Sequence, residues 1–251
     1  MRIIVVILLL LSVTMSCNTE ESPTNQFTVS GEINGLEGHL YFRHPEREYT
    51  REYPADSIVV TDGKFSYTDS ITDVAMIRAY TKFSADNNLY KIAQSGGYYP
   101  VKSMYLMFFA SPGASIEVRG EAIDFMNAYP SGDDHNNSLA AINKQAFPIF
   151  NATGNLLVKA SYETDPQKKT SIKKQTDSIS KAEIKDRLDF LREHPESMGS
   201  LWYLNDMILR RQISEDEAIT FFEKVPEELS DVSIYKNIKT RLDGIMATKE
   251  G

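Results

Sequence analysis

The chain has 251 residues, 41% hydrophobic and 25% charged, a globular composition with room for one large or two small domains. Its 27 Lys and Arg stand against 35 Asp and Glu, a net charge of -8 without any Lys/Arg-rich run, which argues against nucleic acid as a partner. The single cysteine, Cys17, excludes an internal disulfide, a Cys-x-x-Cys redox pair and a thiolate metal site.

Arg2 precedes an apolar run over residues 3–11, and small residues follow. This is the pattern of a secretory signal peptide, predicted over residues 1–16. The run is shorter than the ~20 apolar residues a membrane-spanning helix needs. Residues 12–17 read SVTMSC and resemble a bacterial lipobox, in which the signal is cut before the Cys and the thiol carries lipid. Ser16 fits such a box, whereas Thr14 stands where Leu is usual. The resemblance implies lipidation at Cys17 and attachment to a membrane through that lipid. The alternative is a soluble secreted protein in which Cys17 is incidental. Residues 17–26 are polar and read as a flexible tether. Within them Glu20-Glu21 resembles an acidic surface-export tag, and an acidic tether explains the pair equally well.

From Phe27 the pattern alternates, with Phe27, Val29 and Ile33 on one face of a strand that runs into Gly35. Further strands are predicted over 40–42, 57–60, 75–80, 89–93, 104–109 and 115–118. Asp62-Gly63 is a hairpin turn, after which residues 64–67 begin the returning strand. Short strands with regular turn residues between them predict an antiparallel sandwich or barrel-like domain over residues 27–130.

Past Gly132 the period lengthens. Leu139, Ile142, Ala146 and Ile149 recur at helical spacing, running on towards Val158. Asp165-Pro166 starts a second helix, whose apolar face ends at His194-Pro195. A third covers 200–211. Ser214 and Glu217 form a capping box that opens a fourth through Phe222. A fifth covers 233–246. Residues 131–251 are thus an all-helical region, and the whole is α+β.

Three segments resemble one Bacteroidetes module: FTVSGEINGL at 27–36, DGKFSY at 62–67 and SPGASIEVRG at 111–120. It is the β-rich domain of unknown function at the front of many thioredoxin-like thiol:disulfide oxidoreductase lipoproteins. The helical stretch is similar to the linker of those proteins, down to a His-Pro-x-Ser turn at 194–197. In the longer relatives a thioredoxin domain would follow near residues 247–251, where this sequence stops. The redox pair that carries the family's chemistry is missing, so the resemblance transfers no catalytic residue and no cofactor.

The remaining motifs each carry two readings. His39, His44, His135 and His194 have no partner at metal-ligand spacing, and Asp133-Asp134-His135 reads as a capped polar loop in preference to a cation site. No nucleophile elbow, phosphate loop or dinucleotide fingerprint occurs. Asp-Ser-Ile appears three times and resembles a Bacteroidetes O-glycosylation acceptor, with Ser57, Ser70 and Ser178 as acceptors; Asp-Ser ending a turn explains it as well. Tyr98 and Tyr99, beside Gly96-Gly97, are contact candidates if exposed, since tyrosine buries much area at little entropic cost. A turn leading into a core strand is the plainer reading.

Three functions follow as expectations. The first is a non-catalytic, lipid-anchored envelope protein acting as an interaction module. The second is a redox accessory, working beside a separate thioredoxin-like chain. The third is a glycan- or nutrient-binding surface lipoprotein. An enzyme acting alone ranks last, because no nucleophile, base and orienting group can be assembled.

Overall fold

In a computed structural model, residues 25–45, 47, 55–82, 105–121 and 128–249 are described. The alternating segments form strands β1 (Gln26–Asn34), β2 (Gly38–Arg43), β3 (Asp56–Val60), β4 (Lys64–Ser70), β5 (Ala75–Thr81), β6 (Leu106–Ala110), β7 (Ser115–Glu121) and β8 (Tyr129–Ser131). They make two four-stranded sheets, ordered β4-β1-β7-β8 and β3-β2-β5-β6. The predicted strand at 89–93 lies outside the described residues. The short β8 was not expected, because three residues carry no readable period.

The sandwich is not wholly antiparallel. β1 pairs in parallel with β7, Val29 opposite Ile116. A parallel pair needs a long crossover. Here the whole second sheet supplies it, lying between β1 and β7 in sequence.

Period-two alternation sends Phe27, Val29 and Ile33 of β1, and Leu40 and Phe42 of β2, into one core between the sheets. Gly31 breaks the β1 series for a steric reason. A Cβ there would lie 2.4 Å from the Phe65 ring and 2.7 Å from the Val118 carbonyl oxygen. The Asp62-Gly63 turn joins β3 to β4 with φ of 51° and 75°, the left-handed backbone that Asp and Gly tolerate.

β6 reads Leu-Met-Phe-Phe-Ala and is buried on both faces. Leu106, Phe108 and Ala110 enter the sandwich core. Met107 and Phe109 face the other way, into a second core shared with the helices. Those helices are α1 (Asp134–Tyr162), α2 (Pro166–Glu193), α3 (Met198–Leu209), α4 (Glu215–Phe222) and α5 (Ser233–Lys249). Their starts follow the sequence signals. Asp133 caps α1 by accepting from the Asn136 N–H, Asp165 caps α2 with Pro166 at its first position, and Ser214 with Glu217 closes the capping box of α4. The His-Pro-x-Ser turn links α2 to α3, the Ser197 N–H donating to the His194 carbonyl at 3.1 Å.

Two polar contacts seat the helices on the sandwich. Buried Asn136 donates to the Phe109 carbonyl at 2.8 Å and accepts from the Phe109 N–H at 2.9 Å, covering the outer edge of β6. Asp73, just ahead of β5, accepts the Ser233 N–H at 2.9 Å and so caps α5 across the seam. Deeper among the helices, Arg187 is only 2% exposed and pairs with Glu183 one turn earlier, while Gln212 accepts from it at 3.0 Å.

Candidate functional site

The outer face of the second sheet is built by the residues that alternation turns away from the core. On β2 these are Tyr41 and Arg43, and on β5 they are Met76, Arg78 and Tyr80. The antiparallel register sets Tyr41 opposite Tyr80 and Arg43 opposite Arg78. Tyr41 and Tyr80 stack with ring centroids 5.4 Å apart, and the Arg43 guanidinium lies 5.4 Å from the Tyr80 centroid. Arg78 sits 5.8 Å from the ring centroid of Tyr105, the residue before β6.

Over this face the helices leave a cleft of about 500 Å³, within the range of small-ligand sites. Its floor carries Arg43, Arg78, Tyr105 and the apolar Val74, Ala75 and Met76. Its opposite wall comes from Trp202 and Asn205 on α3 and from Ser233, Ile234 and Asn237 on α5. Residues three apart lie on one helix face, so Trp202 and Asn205 point together, as do Ile234 and Asn237. Among the described residues of its lining two are guanidiniums and none is a carboxylate. Two guanidiniums opposite one another on paired strands make this part of the floor locally cationic.

A second cluster borders the cleft through His44, which also lines it. His44 Nε2 lies 3.1 Å from an Asp69 carboxylate oxygen. The Arg47 guanidinium donates to Asp56 at 2.6 Å and to Asp69 at 2.8 Å, and the Tyr67 hydroxyl donates to Asp69 at 2.5 Å. Burial pushes the Asp69 pKa up, but hydrogen bonds from Arg47, Tyr67 and the Ser70 N–H outweigh it and hold it down to about 2. Burial, then the neighbouring Asp69, pushes the Tyr67 phenol well above its ordinary range. Asp69 is therefore a fixed anion already matched by cations and donors. The cluster braces β4 to the segment after β2.

Two of the three Asp-Ser-Ile tripeptides meet at this cluster, since their first residues are Asp56 and Asp69. Ser57 lies exposed on edge strand β3, and Ser70 lies exposed at the end of edge strand β4. Ser178 is exposed on α2, far along the chain, beside an Asp177 paired with Lys173 at 2.9 Å. Cys17, Glu20, Glu21, Tyr98 and Tyr99 lie outside the described residues. Among the described residues no group of three metal-ligating side chains forms.

The floor of the cleft falls within a stretch that is similar to a known sequence family. Residues 27–139 match the family model Domain of unknown function (DUF4369). The matched span takes in the eight described strands from Phe27 onward and the first turn of α1, hence Arg43, Arg78 and Tyr105. The wall carrying Trp202, Asn205 and Asn237 lies beyond it. No curated protein and no solved structure matches the chain.

Sequence reasoning did not single out Arg43, Arg78, Trp202 or Asn205. The parity of β2 was readable: Leu40 and Phe42 turn inward, so Tyr41 and Arg43 turn outward. The missing piece was the β2–β5 register, which alone brings the two arginines together.

Proposed function

We propose that the chain is a non-catalytic, lipid-anchored protein of the cell envelope whose seam cleft is a binding site. Lipid at Cys17 fixes it to the outer membrane, on the periplasmic face or the cell surface, and residues 17–26 tether the folded part. The observation that carries the binding reading is the cleft itself, which pairs two arginines with an aromatic wall and, among the described residues, places no carboxylate with them. The serine hydroxyl and the imidazole of the cleft are engaged elsewhere, Ser233 with Asp73 and His44 with Asp69, and the Tyr105 ring lies beside the Arg78 guanidinium. That favours holding a ligand over transforming one. It also favours the glycan- or nutrient-binding reading over a redox accessory, since small-molecule sites sit at seams between domains.

The anchor is tested by growth with labelled palmitate and fractionation of the envelope. Wild type carries label in the membrane fraction, and Cys17→Ala loses both label and membrane retention. Label that persists in Cys17→Ala overturns the anchor.

A further inference from the structure

We propose that the seam cleft takes a carboxylated oligosaccharide of the uronic-acid type, with an acid group on Arg78 and its sugar rings against Trp202 and Tyr105. The inference rests on the reading of the chain as a binding protein and names the ligand class of that site.

Charge comes first. The chain as a whole is at -8, so its mean field repels anions. The cleft runs against that field, with Arg43 and Arg78 directly opposite one another and no Asp or Glu among the described residues of its lining. Among the described residues Arg78 has no carboxylate in ion-pair reach, and its guanidinium lies over the Tyr105 ring. Of the described carboxylates nearby, Asp69 is committed to Arg47 and Tyr67 and Asp73 to Ser233. An entering carboxylate meets planar guanidinium donors that match it bidentately.

The rest of the lining selects the body that carries the acid. Trp202 and Tyr105 stand on opposite walls as half-buried rings with polar handles. Asn205 and Asn237 each offer two N–H donors and a carbonyl acceptor, the complement of sugar hydroxyls. An acidic peptide fits less well. Extended peptides bind by adding to a sheet edge. The strands under this cleft, β2 and β5, are interior ones paired on both sides. A volume of about 500 Å³ holds two or three sugar rings at most, so the ligand is short or presents a chain end.

Trp202 is the only tryptophan of the chain, which makes it a built-in reporter. The purified mature protein is titrated with trigalacturonate, its fully methyl-esterified form, triglutamate and inorganic phosphate, following tryptophan emission. Trigalacturonate is expected to change the emission saturably, and the neutral ester to bind at least about tenfold more weakly. Arg78→Gln, with an unchanged melting temperature, should weaken trigalacturonate by about tenfold or more, the loss of one charged hydrogen-bonded contact. Equal binding of the ester, or full affinity in Arg78→Gln, would overturn the proposal. Triglutamate binding more tightly than trigalacturonate, or phosphate saturating the change alone, would overturn the saccharide while leaving an anion-binding cleft intact. Silence from all four probes overturns the proposal, and palmitate labelling reports separately on the anchor.

Discussion

At the scale of single residues, the Arg47 cluster shows how one guanidinium organises two distant carboxylates. Asp69 accepts from Arg47, Tyr67 and the Ser70 N–H, and its pKa falls from 3.8 to about 2. A carboxylate whose pKa is lower in the folded state stabilises above its unfolded value and loses that contribution as pH falls. Asp69 therefore adds its full share above about pH 4 and gives it up between about pH 4 and pH 2. Asp69→Asn should cost about 1 to 2 kcal/mol at neutral pH, reduced because solvent reaches the cluster. Urea unfolding across pH checks this: the gap between wild type and variant should be flat above pH 4 and close below it. In the sequence these aspartates stood out only as a repeated tripeptide. That Asp56 and Asp69 would share a cation was not legible, because Arg47 reaches both only after β3 and β4 have folded back beside β2 and β1.

At the scale of elements, the seat of the helices on the sandwich turns on Asn136. Its side chain pairs with both backbone groups of Phe109 inside the protein. Asn136→Ala leaves a buried N–H and a buried carbonyl unpaired, a loss of about 2 to 4 kcal/mol. Thermal unfolding measures it, and a loss under about 1 kcal/mol would mean the edge of β6 finds other partners. Much at this scale was readable beforehand. Alternation placed β1, β2 and β4, and chemistry at Asp165-Pro166 and Ser214-Glu217 placed helix starts. The all-apolar run in β6 read as a core strand, and it is buried on both faces because helices cover the side a sandwich strand usually shows to water. The parallel β1–β7 pairing was not readable, since alternation gives a strand's faces and says nothing of its neighbour's direction.

At the scale of the whole molecule, the cleft exists only where two distant parts of the chain meet. Arg43 and Arg78 come from the sandwich, and Trp202 and Asn205 come from α3. Each was an ordinary residue in its own segment, half-exposed on a strand or on an amphipathic helix, which is why the sequence pointed to Tyr98 and Tyr99 instead. The central claim is that this seam is locally cationic on a protein of net charge -8. Collisional quenching of Trp202 tests it without knowing any ligand. Iodide and caesium are compared at equal ionic strength, each scaled to its quenching of free N-acetyltryptophanamide. The arginine pair predicts a clear preference for iodide, lost in the double variant Arg43→Gln, Arg78→Gln. A preference for caesium, or one that the double variant leaves unchanged, would contradict the account.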